Sequence, residues 1–81
     1  MDDVSIRIDE IYVPAKHRGT LNAETVDEIA ESIMEIGLQV PISVRRGNGR
    51  YVLISGLHRL EACKALGEET ILATVVGSPQ H

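Results

Sequence analysis

The sequence predicts an α+β domain, a small mixed β-sheet with two helices in the order β-α-β-β-α-β. Three observations carry this. Val4 to Tyr12 and Thr70 to Val76 are rich in β-branched residues at opposite ends of the chain. Residues 23–36 repeat apolar side chains at helical spacing. Between them and the last strand, two short apolar runs flank Gly47-Asn48-Gly49 and lead into a second helical stretch.

Val4 to Tyr12 alternates through Ser5-Ile6-Arg7-Ile8 and reads as one strand ending near Pro14, followed by a polar loop. Asn22 is the N-cap expected for the first helix, and Glu24, Asp27 and Glu28 place negative charge where the helix dipole favours it. Val26, Ile29, Ala30, Ile33 and Met34 supply its apolar positions and Gly37 its C-terminal stop. Pro41 then opens the strand Ile42-Ser43-Val44-Arg45. The Gly47-Asn48-Gly49 turn, with the positive φ angles of a tight hairpin, returns the chain as Arg50 to Ile54. The second helix is expected from about His58 to Leu66, stopped by Gly67. Residues 1–76 thus form one domain, and 77–81 read as a tail or cut linker.

With 81 residues, 43% of them hydrophobic and 25% charged, the chain has the composition of one small soluble domain. Tyr12 and Tyr51 are its only aromatic residues, so the core must be aliphatic and platforms for stacking unpaired bases are scarce. A net charge of −4 and a pI near 5.2 argue against an autonomous duplex binder. The charge is segregated. Acids crowd Asp2 to Glu10 and Glu24 to Glu35, while bases gather at Lys16-His17-Arg18, at Arg45-Arg46 with Arg50, and at His58-Arg59. The single cysteine, Cys63, excludes an internal disulfide and reads as a small packing residue inside the second helix. No metal-ligand cluster, signal peptide or membrane-length apolar run appears, so a cytoplasmic protein without membrane contact is expected.

The most informative stretch is Ser55-Gly56-Leu57-His58-Arg59, between the apolar run Tyr51-Val52-Leu53-Ile54 and the second helix. A glycine at a strand-to-helix junction lets an anion approach the backbone. The helix N-terminus that follows offers unpaired N–H groups, to which His58 and Arg59 add side-chain donors. Taken alone, the same residues also fit an ordinary turn with a solvated His-Arg pair.

Several spaced motifs decide between these readings. Ile11-Tyr12-Val13-Pro14, Arg18, Ile29-Ala30-Glu31-Ser32-Ile33, Gly37-Leu38, Pro41-Ile42-Ser43-Val44, and Ile54 through Ala62 with Gly67 follow one another in an order that resembles the ParB/sulfiredoxin nucleotide-binding fold. The resemblance implies a phosphate site at Ser55, Gly56, Leu57, His58 and Arg59. It also aligns Arg18 with an arginine that folds back toward the phosphates in both branches.

In ParB proteins the corresponding box reads Gly-Glu-Arg-Arg-x-Arg-Ala and binds CTP. Here Gly56, Arg59 and Ala62 fit, while Leu57, His58 and Glu61 replace the acid and two arginines, and Gln39 stands one place early. In sulfiredoxins a cysteine follows the glycine. Leu57 occupies that position and can neither attack nor be oxidised, which excludes the reductase chemistry, and Cys63 lies more than a turn further on. Free-serine kinases of the superfamily use an acidic base, for which Glu24, Asp27, Glu28 and Glu31 are present without one being singled out.

The resemblance therefore implies a ParB-like nucleotide-binding module of plasmid or chromosome partition or transcription control. Its ligand would be CTP or ATP/ADP, with or without magnesium, and its ligand state would bias self-association. These residues include no helix-turn-helix and no catalytic residue is assigned, so contact with DNA is expected only indirectly or through further segments. The alternatives are a small-molecule phosphotransferase of the free-serine-kinase type and an interaction domain with a degenerate pocket.

Overall fold

The computed structural model describes residues 3–37 and 40–77, so Leu38 and Gln39 of the motif series, and the tail beyond Gly77, lie outside the described residues. Five strands form one mixed sheet in the order β1-β5-β3-β4-β2. They are β1 (Asp3–Arg7), β2 (Ile11–Tyr12), β3 (Ile42–Arg46), β4 (Tyr51–Ser55) and β5 (Thr70–Val76). Three helices accompany them: α1 (Ala15–Arg18), α2 (Ala23–Ile36) and α3 (Leu57–Ala65). The α+β class with a small mixed sheet is as expected.

The expected first strand is broken. A 3-10 turn at Ile8–Glu10 splits it into β1, antiparallel to β5, and β2, parallel to β4, at opposite edges of the sheet. The inward positions are Ile6 and Ile8 before the break and Ile11 and Val13 after it. That change of parity is incompatible with a continuous strand, whose side chains alternate strictly. The backbone N–H of Ile8 donates to the Glu69 carbonyl at 3.0 Å and holds the turn against the start of β5. Four strand spacings of about 4.8 Å would separate the edges of a flat sheet by roughly 19 Å. The four residue steps from Arg7 to Ile11 reach at most about 14 Å. The sheet must therefore curl, and it does so around the core.

That core joins Ile6 from β1, Ile71 and Ala73 from β5, Ile42 and Val44 from β3, Leu53 from β4, and Leu57, Leu60 and Cys63 from α3. α2 packs across α3. The Asn22 side chain caps α2, its Oδ1 accepting the Thr25 N–H at 3.0 Å, and Gly37 ends it at φ 80°. Val26, Ile29, Ala30 and Ile33 face inward, but Met34 is 73% exposed and falls off the packed face. The polar loop expected after Pro14 instead contains the α1 turn, so Lys16, His17 and Arg18 sit on a helical segment.

The β3–β4 hairpin is antiparallel, with Arg46 opposite Tyr51, and the Gly47 N–H donates to the Arg50 carbonyl at 2.7 Å. Only Gly49 in this turn has positive φ, 68°; Gly47 and Asn48 do not use that region. The guanidinium of Arg46 lies 5.7 Å from the centre of the Tyr51 ring, and that of Arg50 lies 4.1 Å from the centre of Tyr12. These stacks give Arg46 and Arg50 local partners at the hairpin end. A register shift between Ser43 and Val44 leaves Ile54 without an opposite residue just before β4 feeds α3.

Cys63 is 3% exposed, and burial, with a smaller contribution from Glu68, pushes its thiol up from the ordinary value. The native protein at pH 8 is therefore expected to resist a thiol reagent and to react at once in denaturant. Rapid native labelling would show that α3 opens locally.

Candidate anion site where two helix N-termini meet

The site is built from the end of β4 and the start of α3. Gly56 turns the chain at φ 102° and ψ 27°, in the left-handed region. A Cβ there would lie 2.7 Å from Ile42 Cγ2 and 2.9 Å from Ile42 Cβ. The glycine is thus demanded twice, by its backbone conformation and by the close approach of the junction to β3. The first bond of α3 runs from the Leu60 N–H to the Gly56 carbonyl, 2.9 Å. The N–H groups of Leu57, His58 and Arg59 precede it and have no intrahelical acceptor, and Gly56 has no side chain to cap them. The positive end of α3 is left open to a ligand.

A second helix N-terminus lies beside it. The backbone N–H of Asn22, the N-cap of α2, donates to His58 Nε2 at 3.0 Å. Between the two helix starts is a concavity of about 330 Å³ lined by Thr25 and Ile29 of α2 and by Ser55, Gly56, Leu57, His58 and Arg59. The uncapped N-terminus of α3 opens onto this volume, α2 walls it with Thr25 and Ile29, and no carboxylate is among its lining residues.

The five consecutive residues singled out in the sequence all line this concavity, but they contribute differently. Leu57 is 7% exposed with its side chain in the core cluster, so its offering to the concavity is its backbone. Arg59 is half-buried and has no ion pair among the described residues. His58 already spends one ring nitrogen on Asn22.

Arg18 is exposed and does not line the concavity. The parallel pairing of β2 with β4 carries the chain toward the end of β4 where α3 begins, and Arg18 stands four residues before Asn22 on that segment. Glu61, next along α3, is engaged by Lys64 at 3.3 Å. The hairpin arginines belong elsewhere: Tyr51 and Ser55 are the two ends of β4, about 13 Å apart at strand rise.

Thr25, Ile29 and the Asn22–His58 bond are the parts that sequence reasoning missed. Asn22 was legible as a cap, but only the packing of α2 on α3 brings that cap to His58. Among the described residues no group of three or more His, Cys, Asp or Glu side chains could hold a metal ion. No described helix is long and apolar enough to cross a membrane.

Comparison with known proteins agrees with this architecture. The chain is 45% identical over 71 residues, 86% of its length, to a probable chromosome-partitioning protein ParB of Campylobacter jejuni, and it spans 26% of that relative. The crystal structure of sulfiredoxin from Arabidopsis thaliana superposes with a TM-score of 0.87 at 35% identity, covering 96% of this chain and 88% of that one. A C-terminally truncated ParB from Caulobacter crescentus, solved in complex with CTP-γ-S, superposes with a TM-score of 0.81 at 25% identity, covering 99% of this chain and 47% of that one. The ParB N-terminal domain family matches residues 2–81. With that match over nearly its whole length, and with the curled mixed sheet and the glycine-led helix start already described, the chain belongs to the ParB N-terminal domain family.

Proposed function

We propose that this chain is a ParB-like nucleotide-binding module serving DNA partition, in which the N-terminus of α3 receives the ligand's phosphates. The observation that carries the reading is the uncapped N-terminus of α3 opening onto one concavity beside an Arg59 free of ion pairs among the described residues. In this reading the N–H groups of Leu57, His58 and Arg59 and the Arg59 guanidinium hold phosphate oxygens. Gly56 and Ser55 form the floor, and Arg18 closes from α1 when the ligand is present. CTP is the first candidate, because the ParB of Caulobacter crescentus was solved with CTP-γ-S. Any DNA contact is indirect and belongs to the assembled partition protein.

The phosphotransferase alternative finds less support, since no carboxylate lines the concavity to act as the base. No phosphate release above background is expected from this chain. The test is a set of melting curves with CTP, ATP, ADP and GTP. A ligand at a hundred times its Kd adds roughly 2.7 kcal/mol of stability. Amide NMR shifts induced by the stabilising nucleotide should centre on residues 55–59 and vanish in Arg59→Ala, while Arg45→Ala, at the other end of the sheet, leaves them intact. Shifts that persist in Arg59→Ala would refute this site, and no stabilisation by any nucleotide would favour an interaction domain with a degenerate pocket.

A further inference from the structure

We infer that His58 is a positioning residue, a tautomer-locked tie between the starts of α3 and α2, and that a phosphate bound at α3 tightens it. The coupling to ligand rests on the nucleotide reading above; the tie itself does not. A backbone N–H can only donate, so the 3.0 Å contact from Asn22 requires a lone pair on His58 Nε2. The neutral ring then carries its proton on Nδ1.

The N–H being satisfied is that of the α2 N-cap. In a capping box that group is taken by a Glu or Gln three residues into the same helix. Here the third position is Thr25, whose own N–H is bonded to Asn22 Oδ1. The role a local side chain would play has passed to an imidazole 36 residues away.

The consequence is a ring with two faces to its chemistry. Nε2 is committed to Asn22, so Nδ1–H is the ring's one remaining polar group for a ligand in the concavity that His58 lines. A phosphate oxygen accepting from Nδ1–H makes Nε2 a stronger acceptor, as linked hydrogen bonds polarise one another. By reciprocity, a ligand that strengthens the Asn22 bond is itself held better when that bond is made. The segment steadied in this way, residues 19–22, joins α2 to the turn carrying Arg18.

Two measurements on the ligand-free protein test the tie. Nitrogen-15 NMR of the His58 ring should show Nδ1 protonated and Nε2 bare, and the opposite tautomer would overturn the proposal. Amide exchange at Asn22 should be retained in His58→Gln, whose side-chain oxygen reaches the place of Nε2. It should quicken about tenfold in the shorter His58→Asn, the scale expected for one hydrogen bond, with exchange at Leu53 and Ile71 unchanged as evidence of an intact core. Equal Asn22 exchange in both variants and the wild type would refute the tie.

With CTP added, protection at Asn22 should rise in the wild type and not in His58→Asn. If CTP binds and Asn22 does not respond, the coupling is wrong while the nucleotide reading stands. If no nucleotide binds, that reading and the coupling fall together, and the tautomer and exchange results still decide the tie.

Discussion

Gly56→Ala is expected to cost about 2–5 kcal/mol of folding stability, the sum of placing a side chain in the left-handed region and forcing a core contact apart. The backbone φ of 102° supplies the first part, and the methyl group 2.7 Å from Ile42 Cγ2 supplies the second. Ile42 is wholly buried at the centre of the sheet and has no room to retreat. Gly67 provides the control: its φ is 79°, but a Cβ there meets nothing within 4 Å, so Gly67→Ala should cost only about 1–2 kcal/mol. Urea denaturation of the two variants measures the difference. Equal losses would show that the approach to Ile42 carries no weight. A functional consequence follows, because a substitution at Gly56 disturbs the junction together with any ligand. Arg59→Ala, which leaves the turn intact, is the cleaner probe of phosphate binding.

Leu60→Ala should destabilise the domain by about 2–5 kcal/mol, as buried leucine truncations do when the cavity cannot collapse. Leu60 is 1% exposed and sits one turn into α3, where it anchors the helix to the sheet. Its loss loosens the same helix whose first turn faces the concavity, so weaker nucleotide binding should accompany the lower stability. Met34→Ala, on the exposed side of α2, should stay within about 0.5 kcal/mol of wild type by the same denaturation. A Met34 loss as large as that of Leu60 would mean that α2 packs by a different face.

What the chain declares locally was legible without its fold. The span of α2 follows from a side chain that caps and a glycine that stops, both acting within a few residues of the helix they bound. The hairpin, the glycine-led start of α3 and the burial of Cys63 are likewise matters of short-range spacing. The ordered motifs from Ile11 to Gly67 were enough to identify the superfamily, because their chemistry and separation are written along the chain.

Contacts between distant residues were decided by tertiary structure. Alternation from Val4 to Tyr12 looks like one strand until Ile11 and Val13 are seen to break its parity, and nothing local assigns its halves to β5 and β4 at opposite edges of a curled sheet. Likewise, a helix N-terminus in sequence is only one weak positive end. It becomes a walled concavity when α2 packs across α3, lines it with Thr25 and Ile29, and sets the N–H of Asn22 on the ring of His58. The periodicities that specify each helix say which face is apolar, but the relative placement of two helices depends on the joint packing of their side chains, which no single segment contains.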